Sequence, residues 1–344
     1  MNRRTFLTNT GAVAVLSASG KAQGEDSGRL QVLVPKMTPE GLDALRAVAP
    51  EVELVVCGDG REALEQAADA DASYGFISAE LLRAGKKLRW VQQGSAGVEN
   101  VVGLPEMARG DLVLTNMQRT YAPEIADQAL GYLLAFTRHL DHDIRTRGDE
   151  RWRRRRPEMV FEELEGKTML IVALGGIGSH IARRARGFGM HILATDPKVI
   201  EKPAFVDELH KPEAFRELLP RADVVASAVP LTPASRKMIG ADAFARMKRG
   251  VLFLNVSRGG VVDTDALVQA LKSGQVAAAG LDVTDPEPLP QGHPLWDQNV
   301  IITPHTAGQS PAGTRRAFEL FRENVRRFAH GEMLLNVVDK SVGY

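Results

Sequence analysis

Six short runs in the second half of the chain, 168–174, 191–195, 223–229, 251–256, 277–281 and 300–303, are apolar almost without interruption. A strand with one wet face alternates apolar and polar residues; a strand covered on both faces does not. Helical patterns separate these runs, so the segment reads as a parallel sheet with helices on both sides, built from βαβ units. The first third repeats the theme at 30–34, 52–56, 72–76, 88–91 and 112–114. Between the two series, Pro123 stands where a first-turn proline is tolerated, and Ile125, Ala129, Leu133, Phe136 and Leu140 recur at helical spacing. This predicts a long helix crossing between two domains. Phe318, Phe321, Val325 and Phe328 mark a last amphipathic helix with no sheet after it, which is expected to pack back on the first domain.

At 344 residues, 44% hydrophobic and 25% charged, the chain is long enough for two domains with full cores. Lys+Arg and Asp+Glu balance at 43 each, so no net field points to nucleic acid or a membrane surface as partner. Seven arginines crowd into 145–156 with Glu150 and Trp152 among them and no nucleic-acid motif, which reads as a solvated or intersubunit arm rather than a basic patch for an anion. The single cysteine, Cys57, excludes an intramolecular disulfide framework and any multi-cysteine metal site, and no metal is expected. At the amino terminus, Arg3-Arg4 precedes an apolar stretch, 11–18, too short to span a bilayer. The pattern reads as a twin-arginine export signal over 1–24, cut after Ala22, which would place the protein in the periplasm. The alternative is the basic tail of a cytoplasmic enzyme.

The segment Ala173-Leu174-Gly175-Gly176-Ile177-Gly178 joins an apolar strand to the helical run 179–188, the context a dinucleotide-binding loop requires. Gly175 lets backbone approach a pyrophosphate, Gly178 lets helix and strand pack closely, and the helix N-terminus supplies amide donors. Ala173 replaces the first glycine of the pattern, and alanine makes that turn comfortably only at negative φ. Asp196 follows eighteen residues after Gly178 at a strand end. A carboxylate there bonds the adenosine ribose hydroxyls and repels a 2′-phosphate, so the expected cofactor is NAD rather than NADP.

Three later strand ends carry an arginine, a carboxylate and a histidine: Arg258 before Gly259-Gly260, Glu287 within 282–288, and His305 within 303–308. Ligands of open α/β sheets bind beyond the carboxyl ends of the strands, where three such groups converge on one crevice. An arginine fork holds a carboxylate bidentately. A glutamate beside a histidine favours the charged imidazole and raises its pKa, which suits a group that gives a proton to a carbonyl oxygen and retrieves it in reverse.

With these motifs the chain resembles the D-isomer-specific 2-hydroxyacid dehydrogenase family. The match rests on Leu174 to Gly178, Thr195-Asp196-Pro197, Val229-Pro230-Leu231-Thr232, Asn255 to Gly260, Asp282 to Pro288 and Pro304 to Gly308, and more weakly on Ser95 to Asn100. The resemblance implies an α/β fold of two doubly wound parallel-sheet domains. A Rossmann NAD domain, 119–311, would be inserted into a discontinuous flavodoxin-like substrate domain, 29–118 and 312–344. It implies that Arg258 binds the substrate carboxylate, His305 is the acid/base, and Glu287 orients and charges it. Backbone amides of Ala96 and Gly97 would clamp the carboxylate from the other domain. Val229, Pro230, Val256, Ser257, Asp282 and Gly308 would line the cofactor pocket with Gly175, Gly176, Ile177, Gly178 and Asp196. The expected reaction is hydride transfer between NAD(H) and a small D-2-hydroxy or 2-oxo acid, in a homodimer. Two alternatives remain on the same fold: phosphite oxidation, which would use the same three residues, and a catalytically silent nicotinamide-binding regulator, which has no need of them. Formate oxidation is disfavoured because Glu287 is present.

Overall fold

The computed structural model describes residues 29–145, 160–198 and 201–344. The expected export signal, 1–24, and most of the arginine run lie outside these residues. The first sheet joins β1 (Leu30–Pro35), β2 (Val52–Cys57), β3 (Ala72–Tyr74), β4 (Trp90–Gln92) and β5 (Val113–Thr115) in the parallel order β2-β1-β3-β4-β5.

The second sheet contains β6 (Thr168–Val172), β7 (His191–Thr195), β8 (Glu208–His210), β9 (Val224–Ser227), β10 (Val251–Asn255), β11 (Val276–Leu281) and β12 (Val300–Ile302). Its parallel order is β12-β11-β10-β9-β6-β7-β8, so the strand order reverses beside β6, at the strand that feeds the glycine loop. Successive side chains of one strand enter different cores. Leu170, Val172, Val225 and Phe253 point to one face, and Met169, Ile171, Val224 and Leu254 to the other. A period of two with both faces buried is why the sequence runs look continuously apolar.

The helix Ala122–Thr137 crosses between the domains and packs on β10, β11 and the helix Gly176–Gly187. Gly280 admits it: a Cβ there would lie 2.6 Å from the Tyr132 side chain. The helix Pro311–Ala329 returns to the first sheet, as its apolar stripe requires. Phe321 is fully buried, stacked on Tyr74 with ring centroids 4.0 Å apart. A buried polar cluster fixes the docking. Trp90 Nε1 donates to Thr115 Oγ1 at 2.8 Å, Thr115 donates to Gln92 Oε1 at 2.8 Å, and Asn324 Nδ2 donates to the same oxygen at 3.0 Å. Each polar group buried there is thereby satisfied. Among the described residues no helix is long and apolar enough to cross a membrane.

Removing the Phe321 ring leaves a cavity between helix and sheet. Phe321→Ala is expected to lose about 3–5 kcal/mol, read as a lower chemical-denaturation midpoint. An unchanged midpoint would show that this helix does not complete the first core.

Candidate active site

The glycine loop turns directly from β6 into the helix Gly176–Gly187, with Gly175 at the N-cap. A Cβ on Gly178 would sit 2.1 Å from the Ala173 carbonyl oxygen, so this glycine serves helix–strand packing. A Cβ on Gly175 would meet open space, and one on Gly176 would press on the Arg119 side chain at 2.8 Å. The helix amides therefore face an accessible cleft, as a phosphate-binding turn demands. Ala173 has φ +74°. The backbone needs the left-handed conformation that glycine normally supplies, and alanine occupies it under strain.

Two adjoining cavities open along this loop. The larger, about 490 Å³, is lined by Gly175, Gly176, Asp196, Lys198, Val229 and Pro230 among others. The smaller, about 180 Å³, reaches Ala96, Gly97, Glu99, Ile177, Ser257 and Arg258. The larger falls within the usual range of ligand sites, ~300–1,000 Å³. Its amide-lined floor fits a dinucleotide, and Asp196 is the carboxylate side chain on its lining among the described residues. Asp196 accepts from Leu174 N at 3.0 Å and Lys198 N at 2.8 Å, which fixes the carboxylate at the end of β7. A further cavity of about 470 Å³, lined by Lys167, Asp223, Lys248 and Asn299, lies at the amino-terminal edge of the same sheet. That is the wrong end of parallel strands for a ligand of this fold.

The three strand-end loops touch one another. A Cβ on Gly259 would lie 1.9 Å from the Thr284 carbonyl oxygen, so only glycine lets the loop bearing Arg258 press against the loop bearing Glu287. Asn255 braces the first loop, donating to the Arg258 carbonyl at 3.1 Å and accepting from Ser257 Oγ at 2.7 Å. His305 Nδ1 lies 2.7 Å from Glu287 Oε1, with both side chains partly exposed. His305 has φ +54°, and its amide bonds the carbonyl of Asp282 at 2.9 Å.

Arg258 is held from both domains. Its Nε donates to Glu99 Oε1 at 2.6 Å and its Nη1 to the Ser257 carbonyl at 2.7 Å. A Cβ on Gly97 would lie 1.9 Å from Nη2, so the guanidinium lies directly on the Gly97 backbone. Burial pushes the Glu99 carboxyl up. The hydrogen bond and charge of Arg258, its own backbone amide and the nearby His305 outweigh this and hold it below the usual carboxylate range. Glu99 lies inside the segment Ser95 to Asn100, yet a glutamate opening a helix reads in sequence as an ordinary first-turn acid.

The other expected cofactor residues divide by position. Val229 and Pro230 line both cavities and Ser257 the smaller. Val256 is buried in the sheet core, and Gly308 packs beside Tyr121. Asp282 is buried, with its oxygens accepting from Thr303 Oγ1 at 2.6 Å, Thr306 N at 2.9 Å and Ala307 N at 3.0 Å. Among the described residues no group of three or more His, Cys, Asp or Glu gathers as a metal site.

Known proteins share this fold. The profile of the D-isomer specific 2-hydroxyacid dehydrogenase NAD-binding domain matches residues 130–307. A glyoxylate reductase of Korarchaeum cryptofilum (strain OPF8) is 36% identical over 309 residues, 88% of this chain and 90% of the relative. The crystal structure of a D-isomer specific 2-hydroxyacid dehydrogenase family protein from Aeromonas salmonicida superposes with a TM-score of 0.79 at 29% identity, over 91% of this chain and 99% of that one. An NADPH-dependent glyoxylate/hydroxypyruvate reductase from Sinorhizobium meliloti, solved with NADP and sulfate, superposes with a TM-score of 0.76 at 26% identity, over 91% and 99%. The chain is an oxidoreductase fold with a dinucleotide domain, and it belongs to the D-isomer specific 2-hydroxyacid dehydrogenase family. The family's chemistry is NAD(P)-dependent oxidoreduction between 2-hydroxy and 2-oxo acids.

Left-handed alanine costs about 1–2 kcal/mol, against roughly 0.5–1 kcal/mol of extra entropy lost on ordering a glycine. Ala173→Gly is therefore expected to raise stability by about 0.5–1 kcal/mol, measured by chemical denaturation. A loss of stability would show that the loop is not strained at this residue.

Proposed function

We propose that this protein reduces a small 2-oxo acid, such as glyoxylate or hydroxypyruvate, to the D-2-hydroxy acid with NADH, and catalyses the reverse oxidation. The observation that carries this is the His305–Glu287 hydrogen bond at 2.7 Å, on a loop braced against the Arg258 loop beside a dinucleotide cleft. A silent nicotinamide-binding regulator has no need of that pair.

Arg258 presents its terminal nitrogens to the substrate carboxylate, because Nε is already committed to Glu99. The amides of Ala96 and Gly97 complete the clamp from the first domain. Glu287 accepts from Nδ1 of His305, fixing the ring and leaving Nε2 for proton transfer. A nicotinamide held at the glycine loop would supply the hydride to C2, and Nε2 of His305 gives its proton to the carbonyl oxygen, so that a hydroxyl results. In oxidation the same nitrogen removes the hydroxyl proton. Closure of the two domains excludes water from the cleft during transfer.

Asp196 supports NAD over NADP, since a fixed carboxylate at the ribose end repels a 2′-phosphate. The Sinorhizobium relative was solved with NADP, so this preference is a property proposed for this chain's own residue. The reading extends to a homodimer, and to periplasmic export directed by Arg3-Arg4; detection of only full-length, uncleaved protein in the cytoplasm would overturn the export.

Purified protein is expected to oxidise NADH with at least one small 2-oxo acid. His305→Ala is expected to lower kcat by about 10²–10⁴-fold while NADH still binds. NADH binding with no turnover across a broad oxo-acid panel would contradict the proposal. For the cofactor, kcat/KM with NADH should exceed that with NADPH. Asp196→Ser should narrow the ratio by about tenfold or more, a loss of roughly 1.4 kcal/mol of discrimination. An unchanged ratio would remove Asp196 from cofactor selection.

A further inference from the structure

Glu99 is the acidic side chain in the smaller cavity, and it comes from the domain opposite Arg258. It begins the short helix Glu99–Val102, which follows the loop carrying Ala96 and Gly97. The residue that approaches the substrate anchor is thus delivered by the same loop that clamps the substrate. Its partner is fixed on three sides before any substrate arrives: Glu99 at Nε, the Ser257 carbonyl at Nη1 and the Gly97 backbone beneath Nη2. Arg119, the other charged side chain lining the cavity among the described residues, lies over Gly176 at the dinucleotide loop and belongs to the cofactor half.

The charge inventory at the substrate end is therefore two pairs already matched, Arg258 with Glu99 and His305 with Glu287. The Glu99 carboxyl is held in its charged form by Arg258, its own backbone amide and His305, against the opposing effect of burial, so the negative charge is present at neutral pH. A substrate carboxylate shares Arg258 with Glu99. A second negative charge on the same small molecule has no unmatched cation in this half of the cavity among the described residues and stands against Glu99 in a partly desolvated site, where like charges interact more strongly than in water.

We infer that Glu99 is a specificity-determining residue that restricts the site to 2-oxo acids carrying a single negative charge and excludes dicarboxylic and phosphorylated ones. The inference rests on the functional reading above and narrows its substrate class. Neutral substituents that donate hydrogen bonds, such as a hydroxymethyl group, suit the Glu99 carboxylate.

Oxamate and oxalate test this, because they match in size and differ by one negative charge. Each is titrated calorimetrically into the protein saturated with NAD+, for wild type, Glu99→Gln and Glu99→Asp. Glutamine keeps an oxygen to accept from Arg258 Nε and removes only the charge. Wild type is expected to bind oxamate at least tenfold more tightly than oxalate. Glu99→Gln should reduce that preference at least fivefold, and Glu99→Asp should retain it. A merely structural role would weaken both ligands together and leave the ratio alone. A ratio in Glu99→Gln within twofold of wild type, equal binding of both ligands by wild type, or no binding of either would each overturn the inference. Turnover of glyoxylate by wild type, assayed in parallel, reports separately on the functional reading: turnover with an unchanged ratio defeats the role of Glu99 alone.

Discussion

The geometry of the site depends on one buried carboxylate. Asp282, 4% exposed at the end of β11, accepts from Thr303 Oγ1, Thr306 N and Ala307 N, so its charge is satisfied by the segment that carries His305. A carboxylate removed from water is tolerable only with donors of this kind, and here those donors also fix the loop. The parallel register of β11 and β12, with Leu281 opposite Ile302, brings Asp282 beside Thr303. Tyr132 of the interdomain helix hydrogen-bonds the Thr303 hydroxyl, extending the network to that helix. His305 is thereby held at positive φ, a conformation that persists only where the surroundings impose it.

The second requirement is that two domains meet at Arg258. The last helix closes the core of the first sheet and anchors it through Asn324 and Gln92. Lys340 then donates to the carbonyls of Met107, Arg109 and Leu112, tying the following segment to the same domain. On that platform the loop with Gly97 and Glu99 reaches the guanidinium, and Gly97 and Gly259 are both places where a Cβ would block the approach. Convergence of the polar groups is a consequence of close backbone packing as much as of the groups themselves.

Much of this was legible in the residues, for physical reasons that differ by element. The doubly covered strands announced themselves because burial on both faces removes every polar alternation, and the last helix because its aromatic stripe had no other sheet to cover. The edge strand β8, Glu208–His210, was missed: only three residues long and half-buried throughout, it leaves no apolar run. The run at 72–76 overshoots its strand, which ends at Tyr74 before Gly75 turns with φ +79°. In the site, the meeting of the loops that carry Arg258, Glu287 and His305 was readable because each loop follows the carboxyl end of a strand, β10, β11 or β12. Two features were not. Glu99 acts through a partner 159 residues away, and the hydrogen-bonded role of Asp282 depends on strand register. The left-handed turn at Ala173 was hidden for a third reason, since the residue that normally signals it is absent.

The cleft is proposed to direct a hydride from NADH to C2 of an oxo acid while His305 supplies the proton. The most direct measurement follows deuterium from NADH carrying the label at C4, prepared separately in each stereochemical form, into the product of glyoxylate reduction by NMR. One of the two forms is expected to deliver its deuterium to C2 of glycolate, with the hydroxyl proton coming from solvent. Deuterium that stays with the cofactor from both forms, or C2 hydrogen drawn from solvent, would contradict it.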